Sequence, residues 1–282
     1  MSEPASSAAP GDAVHQPPRL HALTGIRGIA AWMVVFYHIR KSMRLLVPDW
    51  SIDMFAKGYL AVDLFFMLSG FVLWYNYAQR LRGQGPGAAA GFLWRRIARV
   101  WPLHAVLLGL FVVLALLVRT AGGGGEDYPF AELPLHLLLV QNWGFTSALT
   151  WNNPAWSIST ELAAYLRFPL GVAAVRWDRL PVRVLVLLAA ALLGALWLLF
   201  AASGETRLGA RILQLGLARC LIEFTLGNVL CLLWLTWRKH GRAAGLAGLA
   251  ISARFLVPTG GAVVLALTAI FFVTAGFRAL RA

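Results

Sequence analysis

Seven stretches of this chain are apolar for long enough to cross a membrane, and that excludes most folds. A helix needs about 20 mostly apolar residues to span the hydrocarbon core. The candidates lie near residues 23–46, 58–79, 92–118, 154–175, 182–202, 210–237 and 254–277. Backbone polar groups in hydrocarbon must be satisfied within the span, so these segments are expected to be helices. Composition agrees, with 59% of the 282 residues hydrophobic and 13% charged. Soluble domains are about half apolar and about a quarter charged. The expected fold is an all-α polytopic integral membrane protein, a bundle of about seven transmembrane helices. The apolar piece LPLHLLLVQNW at 133–143 is too short to span and reads as an interfacial or re-entrant helix. Residues 1–19 are small, Pro-rich and polar, without the basic-then-apolar order of a signal peptide. They read as a disordered cytoplasmic tail before a membrane domain at 20–282.

The formal net charge of +13 would suggest nucleic acid in a soluble chain. Here the basic residues sit between apolar segments, as topology signals and contacts for anionic membrane lipid. No nucleic-acid motif accompanies them. Arg80, Arg82, Arg95, Arg96 and Arg99 flank one loop, Arg176, Arg179 and Arg183 a second, and Arg238, Lys239 and Arg242 a third. With a cytoplasmic N-terminus these loops share the inner side, and the acidic loop 119–153 lies outside. One loop disagrees, because Arg40, Lys41, Arg44 and Lys57 would then lie outside. The Gly-rich stretches GQGPGAAAG and AGGGGEDYP read as loops. The two cysteines, Cys220 and Cys231, lie in one apolar segment and read as core thiols, and no Cys/His cluster has metal-ligand spacing.

Several polar residues sit inside these spans. In LTGIRGIAAWMVVFYHIRK, Arg27 and His38 are 11 residues apart. That is about three helical turns, so both face one way, ~16 Å apart along the axis. Either Arg27 snorkels and His38 makes a structural hydrogen bond, or the pair faces a wet cavity. Asp63 near the start of the second span is either a helix-start acceptor or an orienting partner for a histidine. Arg95, Arg96 and Arg99 open the third span, where Arg99 neighbours both others. They serve as a positive-inside anchor or as a clamp for a polyphosphate. In WNNPAWSISTELAAYLRFP, Ser157, Glu161 and Tyr165 recur at spacing four and share a face. Pro154 and Pro169 bracket that segment. Ser157 lacks a nucleophile-elbow context and reads as a hydrogen-bonding group. Trp143, Trp151 and Trp156 serve either as interface anchors or as a stacking surface for a sugar. Arg219 and Glu223, at i and i+4, read as an intrahelical ion pair.

Five of these stretches, in order, carry a resemblance. LTGIRGIAAWMVVFYH, GYLAVDLFFMLSGFVL, WRRIARVWPLH, NNPAWSISTELAAYLRFP and RCLIEFTLGNVL are similar to successive helices of the membrane acyltransferase 3 family, which includes O-antigen and macrolide O-acyltransferases. The resemblance implies transfer of an acyl group, commonly acetyl, from cytoplasmic acyl-CoA to a hydroxyl of a sugar or glycosylated acceptor. It implies His38 as the essential base, with Asp63 or Glu161 orienting it. Arg27, Arg95, Arg96 and Arg99 would hold the donor, and Trp156 and Ser157 would meet the acceptor. Acyl-CoA is then a co-substrate, with no permanently bound cofactor and no metal. The expected location is the bacterial inner membrane. The bundle is expected to be short at its C-terminal side relative to the family. A truncated or degenerate non-catalytic relative and a small-molecule transporter are the competing classes; a transporter would favour inverted repeats, and none is visible.

Overall fold

The computed structural model describes residues 21–83 and 85–244, all of them helical or loop. The tail 1–19 and the segment 254–277 lie outside the described residues. Eight α-helices follow in order: α1 His21–Ile39, α2 Asp49–Phe55, α3 Leu60–Gly83, α4 Gly85–Thr120, α5 Leu133–Leu137, α6 Trp156–Ala174, α7 Val182–Ala202 and α8 Ile212–Ala244. The runs 49–83, Gly85–Thr120, Val182–Ala202 and Ile212–Thr236 are long and apolar enough to cross a membrane. That is four among the described residues, against seven expected. Helices α1 and α6 occupy expected spans but fall short of this test. α1 contributes only the shorter apolar run Leu23–Ile39, and α6 opens on a Ser-Ile-Ser-Thr-Glu run.

Several boundaries differ from expectation for local reasons. α1 stops at Ile39, where Arg40, Lys41 and Arg44 begin a series of turns. The GQGPGAAAG stretch is largely helix, not loop. Gly85, at φ +67°, turns the chain, Pro86 then sits in the first turn of α4, where a missing N–H costs nothing, and three alanines propagate the helix. Pro169 lies inside α6 instead of bracketing it. The stretch 133–143 is five residues of helix followed by turns. It folds back along α4, with Trp101 Nε1 donating to the Leu137 carbonyl at 3.0 Å and the His104 ring meeting the His136 carbonyl at 2.8 Å.

Helices α3 and α8 form the centre. Within their apolar windows 61% and 78% of residues are buried, against 17% for α4 and for α7. The outer helices turn Leu103, Leu110, Leu117 and Leu187 outward, each more than 60% exposed. In water such faces would be an aggregation surface; against lipid tails they are in their own solvent. Trp177, between α6 and α7, packs on Trp74 of α3, and Trp234 of α8 packs on Phe71 and Tyr75. Phe92 of α4 meets Tyr77 and Phe168. The C-terminal ends of α3, α6 and α8 therefore gather with the start of α4, and the basic residues of these connections collect at one end of the bundle.

Two glycines bring the central pair together. A Cβ on Gly70 would collide with the Phe224 carbonyl, and one on Gly227 with the Met67 carbonyl. Small residues at such crossings let backbones approach, which drives helix association where no hydrophobic effect can. Gly70→Val is expected to cost more than about 3 kcal/mol, because the obstruction is backbone and cannot rotate away. Gly109, on α4, has open space around it. Gly109→Ala is expected to be neutral or to gain about 0.5–1 kcal/mol. Thermal unfolding of the two variants in one detergent checks the contrast.

Candidate active site

The buried charges form one network across the central helices. Arg219 of α8 donates through Nε to Asp63 Oδ1 of α3 at 2.6 Å, and its Nη2 lies 2.5 Å from the same oxygen. Glu223, one turn along α8, is 3.6 Å from Nε. Asp63, Arg219 and Glu223 are each at most 1% exposed. The principal partner of Arg219 is thus on another helix, and the i,i+4 contact is the longer one. The indole of Trp156 lies against the guanidinium, 5.7 Å from ring centroid to Cζ, and edge-on to Phe66. This engages Asp63 with Arg219 and not with His38.

A second cluster lies toward the basic end. Arg27, half-buried on α1, feels Glu161 of α6 most strongly among its charged neighbours, followed by Arg99, Tyr165 and Arg96. Charged groups of three helices, α1, α4 and α6, therefore lie within electrostatic reach of one another. Arg96 Nη2 donates to the Tyr77 hydroxyl at 3.0 Å, and its Nε is buried without a partner. Arg95 and Arg99 are exposed beside it, and Arg95 also lies over the Tyr77 ring. Tyr165 places its hydroxyl 3.5 Å from Ser69 Oγ. From Arg96 and Tyr165 an apolar groove of about 190 Å³ runs between α4, α6 and the fold-back segment, past Val100, Trp101, Leu139 and Leu162. Tyr77 was not foreseen from sequence. Its only signal was an aromatic two turns before the end of a basic-flanked span.

His38 stands near the far end of α1. Its Nδ1 lies 2.8 Å from the Val34 carbonyl, so that nitrogen carries the proton and donates. Nε2 is left with its lone pair, and the ring is exposed. Tyr37 beside it packs edge-on to the ring. Among the described contacts, the Val34 carbonyl does the orienting, and neither Asp63 nor Glu161 meets the imidazole. Ser157 Oγ donates to the Pro154 carbonyl at 3.1 Å and closes the turn that opens α6. Trp156 is buried, with 8% of its surface exposed. Ser157 and Trp156 are thus neighbours in sequence with different surroundings.

The fold-back segment brings a polar cluster that sequence reading passed over, although Gln141 and Asn142 interrupt an apolar run. Thr150 Oγ1 donates to Glu132 Oε2 at 2.8 Å and accepts from His136 Nε2 at 3.0 Å. Asn142 N donates to Ser159 Oγ at 3.1 Å, and Trp143 Nε1 to the Ser159 carbonyl at 2.9 Å. Burial, with His104 of α4 nearby, lowers His136 from 6.5 to about 4. A histidine depressed in the folded state contributes stability that is whole above the unfolded value and is lost as pH falls toward the folded one. The thermal midpoint is therefore expected to be flat above pH 6.5 and to decline from 6.5 toward 4. His136→Asn is expected to flatten that decline, read from unfolding scans across pH.

Two curated proteins are similar to this chain in sequence. Acyltransferase MdmB of Streptomyces mycarofaciens is 35% identical over 243 residues, 79% of this chain and 60% of the relative. Protein 2 in picA locus of Rhizobium radiobacter is 34% identical over 169 residues, 54% of this chain and 83% of the relative. The chain thus spans about three-fifths of the length of MdmB. No solved structure matches. The family model described as the acyltransferase domain matches residues 20–280, almost all of the sequence after its N-terminal tail. The chain belongs to the acyltransferase 3 family.

Proposed function

We propose that this chain moves an acyl group, acetyl or another short one, from acyl-CoA to a hydroxyl of a sugar or glycosylated acceptor. The observation that carries the reading is that Arg27 lies within electrostatic reach of Arg96 and Arg99 on a second helix, while its own helix also bears His38, whose Nδ1 is engaged by the Val34 carbonyl. Arginine forks suit phosphate oxygens, and the acyl-CoA head is rich in them. In this reading the head docks at Arg95, Arg96 and Arg99, and the arm reaches inward ~16 Å, the rise from Arg27 to His38. The similarity to the acyltransferase MdmB supports the class of reaction.

The chemistry then needs one base. The acceptor oxygen attacks the thioester carbonyl while His38 Nε2 takes the hydroxyl proton, forming a C–O bond and a tetrahedral oxyanion. Collapse breaks the C–S bond, and the departing thiolate takes the proton back from His38. Asp63 serves by fixing α3 to α8 through Arg219, and Glu161 by holding Arg27 in the donor site. Trp156 and Ser157 face the acceptor side through the turn that opens α6. The protein would lie in a bacterial inner membrane with its basic end cytoplasmic.

Donor consumption tests the reading. Purified protein given acetyl-CoA and a hydroxylated glycoside is expected to release free CoA thiol in proportion to acylated product. A folded wild type that binds no acyl-CoA, or that moves solute without consuming it, sinks the enzyme in favour of a non-catalytic relative or a transporter.

A further inference from the structure

A small polar pocket lies on the fold-back segment, lined by residues other than those of the groove that begins at Arg96. Its lining includes His136, Gln141, Asn142, Ala148, Thr150 and Trp156. Five of its lining residues are buried, among them His136 at 3%, Gln141 at 4% and Asn142 at 1% exposure; these three each carry a side-chain amide or ring at the pocket. Each has one polar atom without a partner: His136 Nδ1, Gln141 Oε1 and Asn142 Oδ1.

The hydrogen bonds settle what those atoms are. Gln141 Nε2 donates to the Ala155 carbonyl at 3.3 Å and Asn142 Nδ2 to the Ile212 carbonyl at 3.2 Å. Both amide oxygens are therefore the orphans. The Thr150 hydroxyl gives its one hydrogen to the Glu132 carboxylate, so His136 Nε2 has to donate to Thr150. His136 Nδ1 is then a bare lone pair. All three orphans are acceptors. A buried polar group left unpaired costs about 1–3 kcal/mol, so three together in one pocket ask for a ligand that brings donors. The enclosed space is about 10 Å³, room for one oxygen-sized group. A hydroxyl enters it, donates its one hydrogen to one of the three acceptors at a time, and leaves the body of the ligand outside.

We propose that this pocket anchors a hydroxyl of a polyhydroxylated ligand, one that does not itself react, and so selects sugar-bearing acceptors. The inference rests on the transferase reading for its role, though not for its binding. The Trp156 edge lines the pocket and offers the ring an apolar contact.

The test is a titration of the full chain in detergent with a panel of methyl hexosides, and with cyclohexanol as a one-hydroxyl control. Thermal midpoint and tryptophan emission are read without any acyl donor. At least one hexoside is expected to raise the midpoint, and cyclohexanol is not. Ala148→Trp places a bulky group at an exposed lining residue and is expected to abolish the response with folding intact. Gln141→Met removes one orphan acceptor and is expected to weaken binding about three- to tenfold, the worth of one neutral hydrogen bond. A folded wild type with no response to any hexoside overturns the proposal and assigns the pocket to solvent. A response that both variants leave unchanged overturns it too. Because no donor is present, failure here leaves transfer itself standing, and failure of transfer leaves this binding standing.

Discussion

Arg219→Gln is expected to destabilise the protein by about 3–5 kcal/mol, among the largest effects of any single substitution in the bundle. The change leaves Asp63 and Glu223 facing each other, both at most 1% exposed, with no cation between them. Breaking a buried pair costs far more than the pair is worth, because the remaining charge has neither water nor partner. The same reasoning ranks the other members. Asp63→Asn is expected to be severe, since both short contacts of Arg219 end on Asp63 Oδ1. Glu223→Gln is expected to stay within about 1 kcal/mol, because its contact is 3.6 Å and its oxygens accept no hydrogen bond. A triple variant, Asp63→Asn with Arg219→Gln and Glu223→Gln, is expected to recover at least half of the single-variant loss, since neutral replacement of a buried network is often tolerated. Unfolding midpoints in a single detergent measure all four. If Arg219→Gln unfolds with wild type, the network is not what fastens α3 to α8.

His38→Ala is expected to lower transfer about 10²–10⁴-fold, the usual contribution of a positioned base, while acyl-CoA still binds. Arg99→Ala is expected to do the reverse first. It raises the donor KM, because an exposed arginine beside Arg96 contributes to docking and takes no part in the proton transfer. The split between kcat and KM is the decisive feature. A base acts on the transition state alone, whereas a phosphate contact holds ground state and transition state alike. His38→Gln offers a control that keeps a side chain able to hydrogen-bond to the Val34 carbonyl but cannot take a proton; it is expected to be as inactive as alanine. Equal loss of donor binding in His38→Ala and Arg99→Ala would mean that His38 holds the arm and that the base lies elsewhere.

The helical placement of the candidate residues was legible one residue at a time. The 11-residue spacing put Arg27 and His38 on one face without any structure, because helical periodicity is local. The i, i+3 and i+4 pattern of Arg95, Arg96 and Arg99 was visible for the same reason. What stayed hidden was partnership between helices. Asp63 and Arg219 are 156 residues apart in sequence, and nothing local says that α3 lies against α8. Arg219 therefore read as the partner of Glu223, its neighbour one turn away. His136, Gln141 and Asn142 were overlooked because their meaning depends on a fold-back segment with too few residues for its own periodicity.

The sequence alone determined that this chain is built from apolar helices, where several of them begin, and which end of the bundle is basic. Those properties follow from hydrophobic length, turn residues and charge position, each read within a few turns of chain. Only the tertiary structure decided which charges meet, that the His38 ring lies against the Val34 carbonyl, and that three buried acceptors share one pocket. The energy of a buried polar group depends on what surrounds it, and in a helical bundle its surroundings come from other helices.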